Sequence, residues 1–505
     1  MAAQFWERIL MDKKAAVTER AELKKSIKPV QAWALALGAI LGWGAFVLPG
    51  LRFLPQAGPL ASCIGFVLGG VMLFSVAISY GNMVSKYKVT GGAFAFSFVG
   101  FGPTVAFICG WALVLGYICI IALNATAVSL LTRFVFPGVF EVGMLYSIVG
   151  WDVYAGEIAM LVGILCLCGF LNFRGADLVG KIQVFLAFAL CASVFIVFGG
   201  SVSHETAAVS NLSPLFADNK SPLASIMAIV AIAPWLYVGF DTIPQAAEEF
   251  DFPHKRAEKL MLSAIGWGIV LYAMVTIAVA CIMPYKELLA MNSPWATGTV
   301  ANMALGRVGS VILATAVLAA IFTGINGFFI ASSRLLFAMG RATILPSWFA
   351  DIHPKYQTPH KAILFVLAIA VTAPFFGREV LNWVVDMSAV GTVIAYLISC
   401  LSAYKVMKHA QNKRGVMHAV LGSISSVVCI LLLTVPGSPG AIGMQSWVAL
   451  CLWVILGAWF YNARMGDFKA LTTEEQSTLI LGSSRRVFFG KGKKAPAQQP
   501  ASKEA

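Results

Sequence analysis

Gly38-Ala-Ile40-Leu41-Gly42-Trp43-Gly44-Ala45-Phe-Val-Leu-Pro49 is an apolar stretch with glycines two apart, in the middle of a run long enough to cross a bilayer. Each glycine costs about 1 kcal/mol relative to alanine inside a helix, so a break near Gly42 and Gly44 is favoured over a continuous turn. A second stretch repeats the pattern: Pro234-Trp235-Leu-Tyr237-Val238-Gly239-Phe240-Asp241-Thr242-Ile-Pro244. Here proline removes backbone donors, glycine softens the chain, and an acid sits at membrane depth. Lipid leaves freed backbone groups without partners, so a broken helix is tolerated only where it lines a cavity. Each break is therefore a candidate binding site. The half-helix after a break offers N–H groups and a positive dipole end to an anion, and the half before it offers carbonyls to an ammonium. An α-amino acid carries both groups. Glycine and proline also serve close helix packing, and it is the coincidence of two breaks that points to a site.

The rest of the chain fits a membrane setting. Of its 505 residues, 59% are hydrophobic and 12% are charged, where soluble domains carry roughly 25% charged residues. Apolar runs recur over 30–53, 60–84, 94–131, 153–173, 179–199, 223–248, 259–283, 300–339, 361–376, 380–407, 417–435 and 446–464, which predicts an all-α protein of twelve transmembrane helices. Strand-length alternation of the barrel kind is not visible. The formal charge of +13 has a local origin, because threading the spans alternately leaves only Arg52, Arg133, Lys220, Lys286, Arg307 and Arg378 of 36 Lys and Arg on one side. The positive-inside rule then puts both termini in the cytoplasm and accounts for the charge without nucleic acid. Residues 1–29 read as a cytoplasmic arm with no secretory signal, and 465–505 as a cytoplasmic tail whose end, low in apolar residues, is expected to be unstructured.

Catalytic and metal chemistry find little support. All ten cysteines lie in apolar runs, where a thiol acts as a small hydrophobe, and Cys166 and Cys168 are too close for usual ligand spacing. The six histidines fall in expected loops or at helix ends, so neither a metal set nor a cofactor is expected and an enzyme is disfavoured.

Several ordered segments carry a family likeness. They are the first-helix glycines; Thr90-Gly91-Gly92-Ala-Phe94 running through Gly102-Pro103 to Gly110-Trp111; Gly239-Phe240-Asp241 followed by Ala247-Glu248-Glu249; Ser333-Arg334-Leu-Leu-Phe-Ala-Met339 with Leu345-Pro346 and Thr358-Pro359; and Val385-Asp386-Met387-Ser388 through Gly391-Thr392. In this set the chain resembles the amino acid–polyamine–organocation superfamily. The resemblance implies a LeuT-like inverted repeat of five plus five helices, here about 30–199 and 223–407, with two additional helices over 417–464. It also implies transport by alternating access. Substrate amine would be held by carbonyls near Ile40 and Leu41 and near Trp235 and Val238, and carboxylate by N–H groups near Gly44 and Ala45, with Gly42, Trp43 and Gly239 shaping the site. Trp235 resembles the substrate-facing aromatic of arginine/agmatine-type exchangers, while Tyr237, Phe240 and Trp111 are expected as gate or wall.

Two departures bear on substrate and coupling. Trp43 stands where many relatives have a small or hydroxylated residue that touches the carboxylate. Leu190 takes the place where some proton-coupled members bear a buried lysine. Thr323 or Asn326 on the eighth span could belong to an ion site or simply join helices. Asp241, the acid placed deepest, could balance a cationic substrate, take a proton, or cap the following half-helix. Asp386 is expected near an outer vestibule, and Glu248 and Glu249 at the cytoplasmic end with Lys255 and Arg256.

These readings favour an amino acid permease of the cell membrane, working with a proton or a sodium ion. Carriage of a polyamine or another amine without an α-carboxylate is the alternative. A substrate sensor that keeps the transporter fold is a reading of another class.

Overall fold

The computed structural model describes residues 23–488 except 149, 219, 292, 294, 378, 439–440 and 483–486. The arm before residue 23, the expected unstructured end beyond 488, and Arg378 lie outside the described residues.

The chain is helical almost throughout. Its main elements are α1 (Pro29–Leu41), α2 (Gly44–Leu48), α3 (Pro59–Lys86), α4 (Gly92–Phe101), α5 (Pro103–Val135), α6 (Ala155–Arg174), α7 (Ala176–Val202), α8 (Pro222–Ala231), α9 (Ala233–Tyr237), α10 (Thr242–Gln245), α11 (Arg256–Cys281), α12 (Ala296–Arg341), α13 (His360–Ala370), α14 (Glu379–His409), α15 (Lys413–Thr434), α16 (Met444–Lys469) and α17 (Thr473–Leu481). Proline opens α1, α3, α5 and α8, where its missing N–H leaves no further gap and its fixed φ is already helical.

Ten helices among the described residues are long and apolar enough to cross a bilayer. Two of the expected runs fall short of that length: the sixth arrives as α8, α9 and α10, and the ninth as α13 followed by a 3-10 turn over Ala373–Phe376. The expected single helix over 94–131 is also two, because Gly102 takes φ 88° just before Pro103, which starts α5 afresh. α12 bends at Gly306, the one residue inside it with non-helical φ and ψ. The last span runs to Lys469, past the expected end at 464, and α17 docks beyond it with Leu479, Ile480 and Leu481 buried. Thr472 and Glu475 close a capping box at its start.

One element is not helical. Met144–Ile148 (β1) and Trp151–Tyr154 (β2) form an antiparallel hairpin between α5 and α6. Arg133 at the end of α5 fixes it, donating to both carboxylate oxygens of Glu157 at 2.6 and 2.7 Å and to the Asp152 carbonyl at 2.7 Å. Its guanidinium lies 4.0 Å from the Trp151 ring centroid.

Burial orders the spans from centre to rim. The most apolar part of Pro29–Ala57 is 94% buried and that of Met444–Lys469 only 11%. The first span is thus the axis of the bundle, and α16 is an outlying helix with most of its surface exposed.

The face at which α1 begins and α12 ends is closed by charge pairs. Arg334 donates to Glu249 at 2.7 and 3.1 Å, and Arg341 to Glu248 at 2.7 and 2.8 Å. Arginines seven apart lie on one side of α12 and meet two adjacent acids, partners from far along the chain. The Arg334 side chain is fully buried. The Ser26 and Ile27 N–H groups both donate to the Glu249 carbonyl at 2.9 Å, which ties the chain's start to the same layer. Removing one member of a buried pair strands the other charge and costs about 3–5 kcal/mol, whereas replacing both by apolar groups is far milder. Arg334→Met should therefore lower the thermal unfolding midpoint of the purified protein sharply, and Glu249→Met/Arg334→Met should recover most of the loss. A double variant as unstable as the single would contradict this.

Candidate functional site

Both suspect stretches are interrupted. α1 stops at Leu41; Gly42 adopts φ 45° and ψ −166°, open to glycine and costly for other residues; α2 resumes at Gly44. The N–H groups of Gly44 and Ala45, first in the new half-helix, have no partner within it. In the sixth span, α9 ends at Tyr237, Val238 is extended, Gly239 has φ 131°, and α10 starts at Thr242.

The two gaps touch. A Cβ placed on Gly239 would stand 2.7 Å from the Ala39 Cβ and 2.8 Å from the Ile40 nitrogen, so only a glycine lets these backbones approach so closely. The carbonyls left over by the breaks then converge on one group. Tyr272 from α11 donates its hydroxyl to the Ile40 carbonyl at 2.9 Å, with the Leu41 and Leu236 carbonyls at 3.4 and 3.3 Å. A phenol has one proton, so three carbonyls share a single donor.

Around this point the expected residues divide. Trp235 lies against the first break: a Cβ on Gly44 would be 2.8 Å from its ring, and its indole N–H is buried without a hydrogen-bond partner. Trp43 is buried and meets Trp235 edge-on at 6.1 Å between centroids. Phe240 is fully buried in a wall with Tyr80 and Tyr396, at 5.9 and 5.3 Å. Tyr237 turns to α3, where its hydroxyl donates to the Phe66 carbonyl at 2.7 Å.

Trp111 is not at the breaks. It stacks on Trp453 of α16 at 4.4 Å, on the outlying side of α5. A tryptophan in an all-apolar span shows no face, so the sequence alone does not aim it.

Asp241 is fully buried, but it does not cap α10. Its carboxylate folds back to accept the Gly239 N–H at 3.0 Å and the Tyr117 hydroxyl at 2.6 Å, while Gln245 donates to the same hydroxyl at 3.2 Å. No ion pair with it is found among the described residues. Thr323 donates to the Ala320 carbonyl at 2.9 Å and the Gly38 carbonyl at 3.3 Å, and Asn326 accepts from Asn172 at 2.9 Å. Both thus bond between helices. Asp386 is half-buried, accepts from Ser446 at 2.9 Å, and feels the charge of Arg52, which follows the first break.

Four further residues stand near the breaks. Tyr272 and Tyr117 are single aromatics in apolar spans and give no signal before the fold assembles them. Asn124 is buried with its side-chain oxygen unpartnered, 3.5 Å from where a Gly42 Cβ would be. Gln183, rather than anything at Leu190, is the buried polar group by which α7 reaches α12, donating to the Thr323 carbonyl at 2.8 Å. A polar side chain inside an apolar run was the available cue for both.

A multi-span helical membrane protein whose buried centre is two interrupted helices in contact has the build of a permease. The chain belongs to the amino acid permease family, whose model matches residues 31–503. Similar curated proteins include the methylthioribose transporter of Bacillus subtilis (strain 168), 25% identical over 88% of this chain and 95% of that protein. The branched-chain amino acid permease BcaP of the same organism is 23% identical over 90% and 96%. The vacuolar cationic amino acid transporter 4 of Arabidopsis thaliana is 27% identical over 74% and 62%.

Tyr272→Phe deletes the donor that three buried carbonyls share and should cost about 1–3 kcal/mol of stability. Thermal unfolding of the purified variant checks this, and an unchanged midpoint would mean that other groups satisfy those carbonyls.

Proposed function

We propose that the protein is a secondary active transporter that carries an amino acid by alternating access through the point where the two breaks meet. The observation that carries this reading is the convergence of the Ile40, Leu41 and Leu236 carbonyls on Tyr272, one break away from the N–H groups of Gly44 and Ala45. The carbonyls suit the substrate ammonium and the opening N–H groups its carboxylate. Trp235 and Trp43 wall the site, and Asn124 adds an acceptor beside Gly42.

Breaks in the first and sixth spans are what an inverted repeat of five plus five helices would produce, with the last two as additions and twelve spans in all. The charge distribution favours both termini in the cytoplasm and a plasma or inner membrane location. The relatives' names cover cationic and branched-chain amino acids and a methylthio sugar, so they support the permease class and leave the solute to the site.

Asp241 favours a proton as the coupling ion. An ionised carboxylate at full burial with no cation beside it is costly, and protonation relieves that cost. It faces Tyr117 from α5, Tyr80 from α3 and Tyr396 from α14, none of which supplies a positive charge. Thr323 and Asn326, the other candidates for an ion site, are spent on helix contacts. The same unbalanced acid, together with Trp43 at the carboxylate end, supports the second reading, an amine without an α-carboxylate.

Uptake into proteoliposomes separates these readings. An amino acid should accumulate faster as the external pH falls, and Asp241→Asn should abolish that pH dependence; no flux or exchange with any common amino acid would remove the first reading. Inhibition by a decarboxylated analogue but not by its parent would select the second. Gly239→Val, which drives the breaks apart, should stop transport with membrane expression largely retained, whereas Gly466→Val, at a glycine with open space around it, should transport normally.

A further inference from the structure

Trp111 and Trp453 do more than stack. The Trp111 indole N–H donates to the Trp453 carbonyl at 3.0 Å, and the Trp453 indole N–H donates to the Trp111 carbonyl at 3.1 Å. Gly457 makes room for the pair, since a Cβ there would fall 2.4 Å from the Trp111 indole nitrogen. This reciprocal clasp pins α16, otherwise barely buried, to α5 and leaves a groove of about 540 Å³ between α5, α14 and α16. Phe107, Ile394, Leu450, Val454 and Tyr461 are among its walls, which are almost wholly apolar.

The groove has a length and a polarity. Along α16 it runs from Leu450 to Tyr461, about 17 Å at helical rise and so about the depth of one leaflet of a roughly 30 Å core. Its Tyr461 end lies toward the face of the arginine–glutamate pairs and is the polar one. The Tyr461 hydroxyl bonds Thr104 at 3.1 Å and receives the Lys469 ammonium at 2.8 Å. Lys405 from α14 donates to the Gly100 carbonyl at 2.9 Å and lies 3.7 Å from the Phe101 ring centroid. Two ammonium groups, from two helices, thus gather at the turn that joins α4 to α5, each with protons to spare.

We propose that this groove binds an anionic phospholipid of the leaflet on the side of the arginine–glutamate pairs, with one acyl chain between α5, α14 and α16 and its phosphate on Lys405 and Lys469. An apolar slot at membrane depth holds no water, and an acyl chain restores the dispersion contacts that a void forfeits. Lysines that reach along apolar surface to the interface are suited to an anionic head group. A second copy of the chain fits less well, because a two-fold contact across α16 would bring like ammonium groups together.

Native mass spectrometry of the full-length protein with phosphatidylglycerol and phosphatidylcholine tests this independently of transport. Phosphatidylglycerol should bind about tenfold tighter or more. Lys405→Gln/Lys469→Gln should reduce it to the phosphatidylcholine level, and Ala458→Trp, which fills the groove from its exposed edge, should weaken both lipids at an unchanged unfolding midpoint in detergent. Equal affinity for the two lipids, or binding indifferent to Ala458→Trp, would overturn the proposal. So would a dimer that Ala458→Trp splits while lipid binding is unaltered, which would assign the face to a second copy.

Discussion

A peptide group in hydrocarbon must find its partner inside the protein, and the centre of this molecule is organised around the places where the helix ladder does not supply one. Interrupting two spans frees carbonyls and N–H groups at the depth where they are most costly. The fold answers by setting the interruptions against each other, with Gly239 flush on Ala39 and Ile40, and by bringing one phenol from α11 to three carbonyls. That answer is partial by construction, since one proton cannot serve three acceptors. A solute ammonium is the kind of group that completes it.

How far the sequence foretold this depended on whether a feature was local. Gly42, Gly44, Pro234 and Gly239 act on their own backbone, so both breaks were legible without knowledge of the fold. Apolar length marked ten spans among the described residues; the sixth and ninth runs came out shorter, and a glycine–proline pair, Gly102-Pro103, ended one helix and began another inside a single apolar run. Partners were a different matter. Glu248 and Glu249 meet Arg341 and Arg334, far along the chain, because α12 presents its arginines on one side. Trp111 and Tyr237 could not be aimed, since in lipid-facing and protein-facing surfaces alike the neighbours are apolar and the pattern that marks a buried face in soluble helices is lost. The hairpin over 144–154 is held by Arg133, a contact between elements that the pattern of apolar runs does not reveal.

Charge is used sparingly and at the two ends. One face has Arg133 gripping Glu157 and the hairpin; the other has the double arginine–glutamate layer. Between them stands Asp241, supported by a hydroxyl and an amide but, among the described residues, by no cation. The ends are thus satisfied electrostatically and the middle is not, which is the distribution expected where charge arrives from outside the protein.

The bonds from Ser26 and Ile27 to the Glu249 carbonyl also make a mechanical circuit. From the first gap the chain runs back along α1 to residue 27, crosses to Phe250 and Glu249, and returns through α10 to the second gap. The two gaps are thus joined a second time, by backbone hydrogen bonds between the start of α1 and residues 249–251, so a tilt of α1 would pull on the segment that leads to the second gap. Strain applied at residues 26 and 27 would be felt at both gaps through that frame.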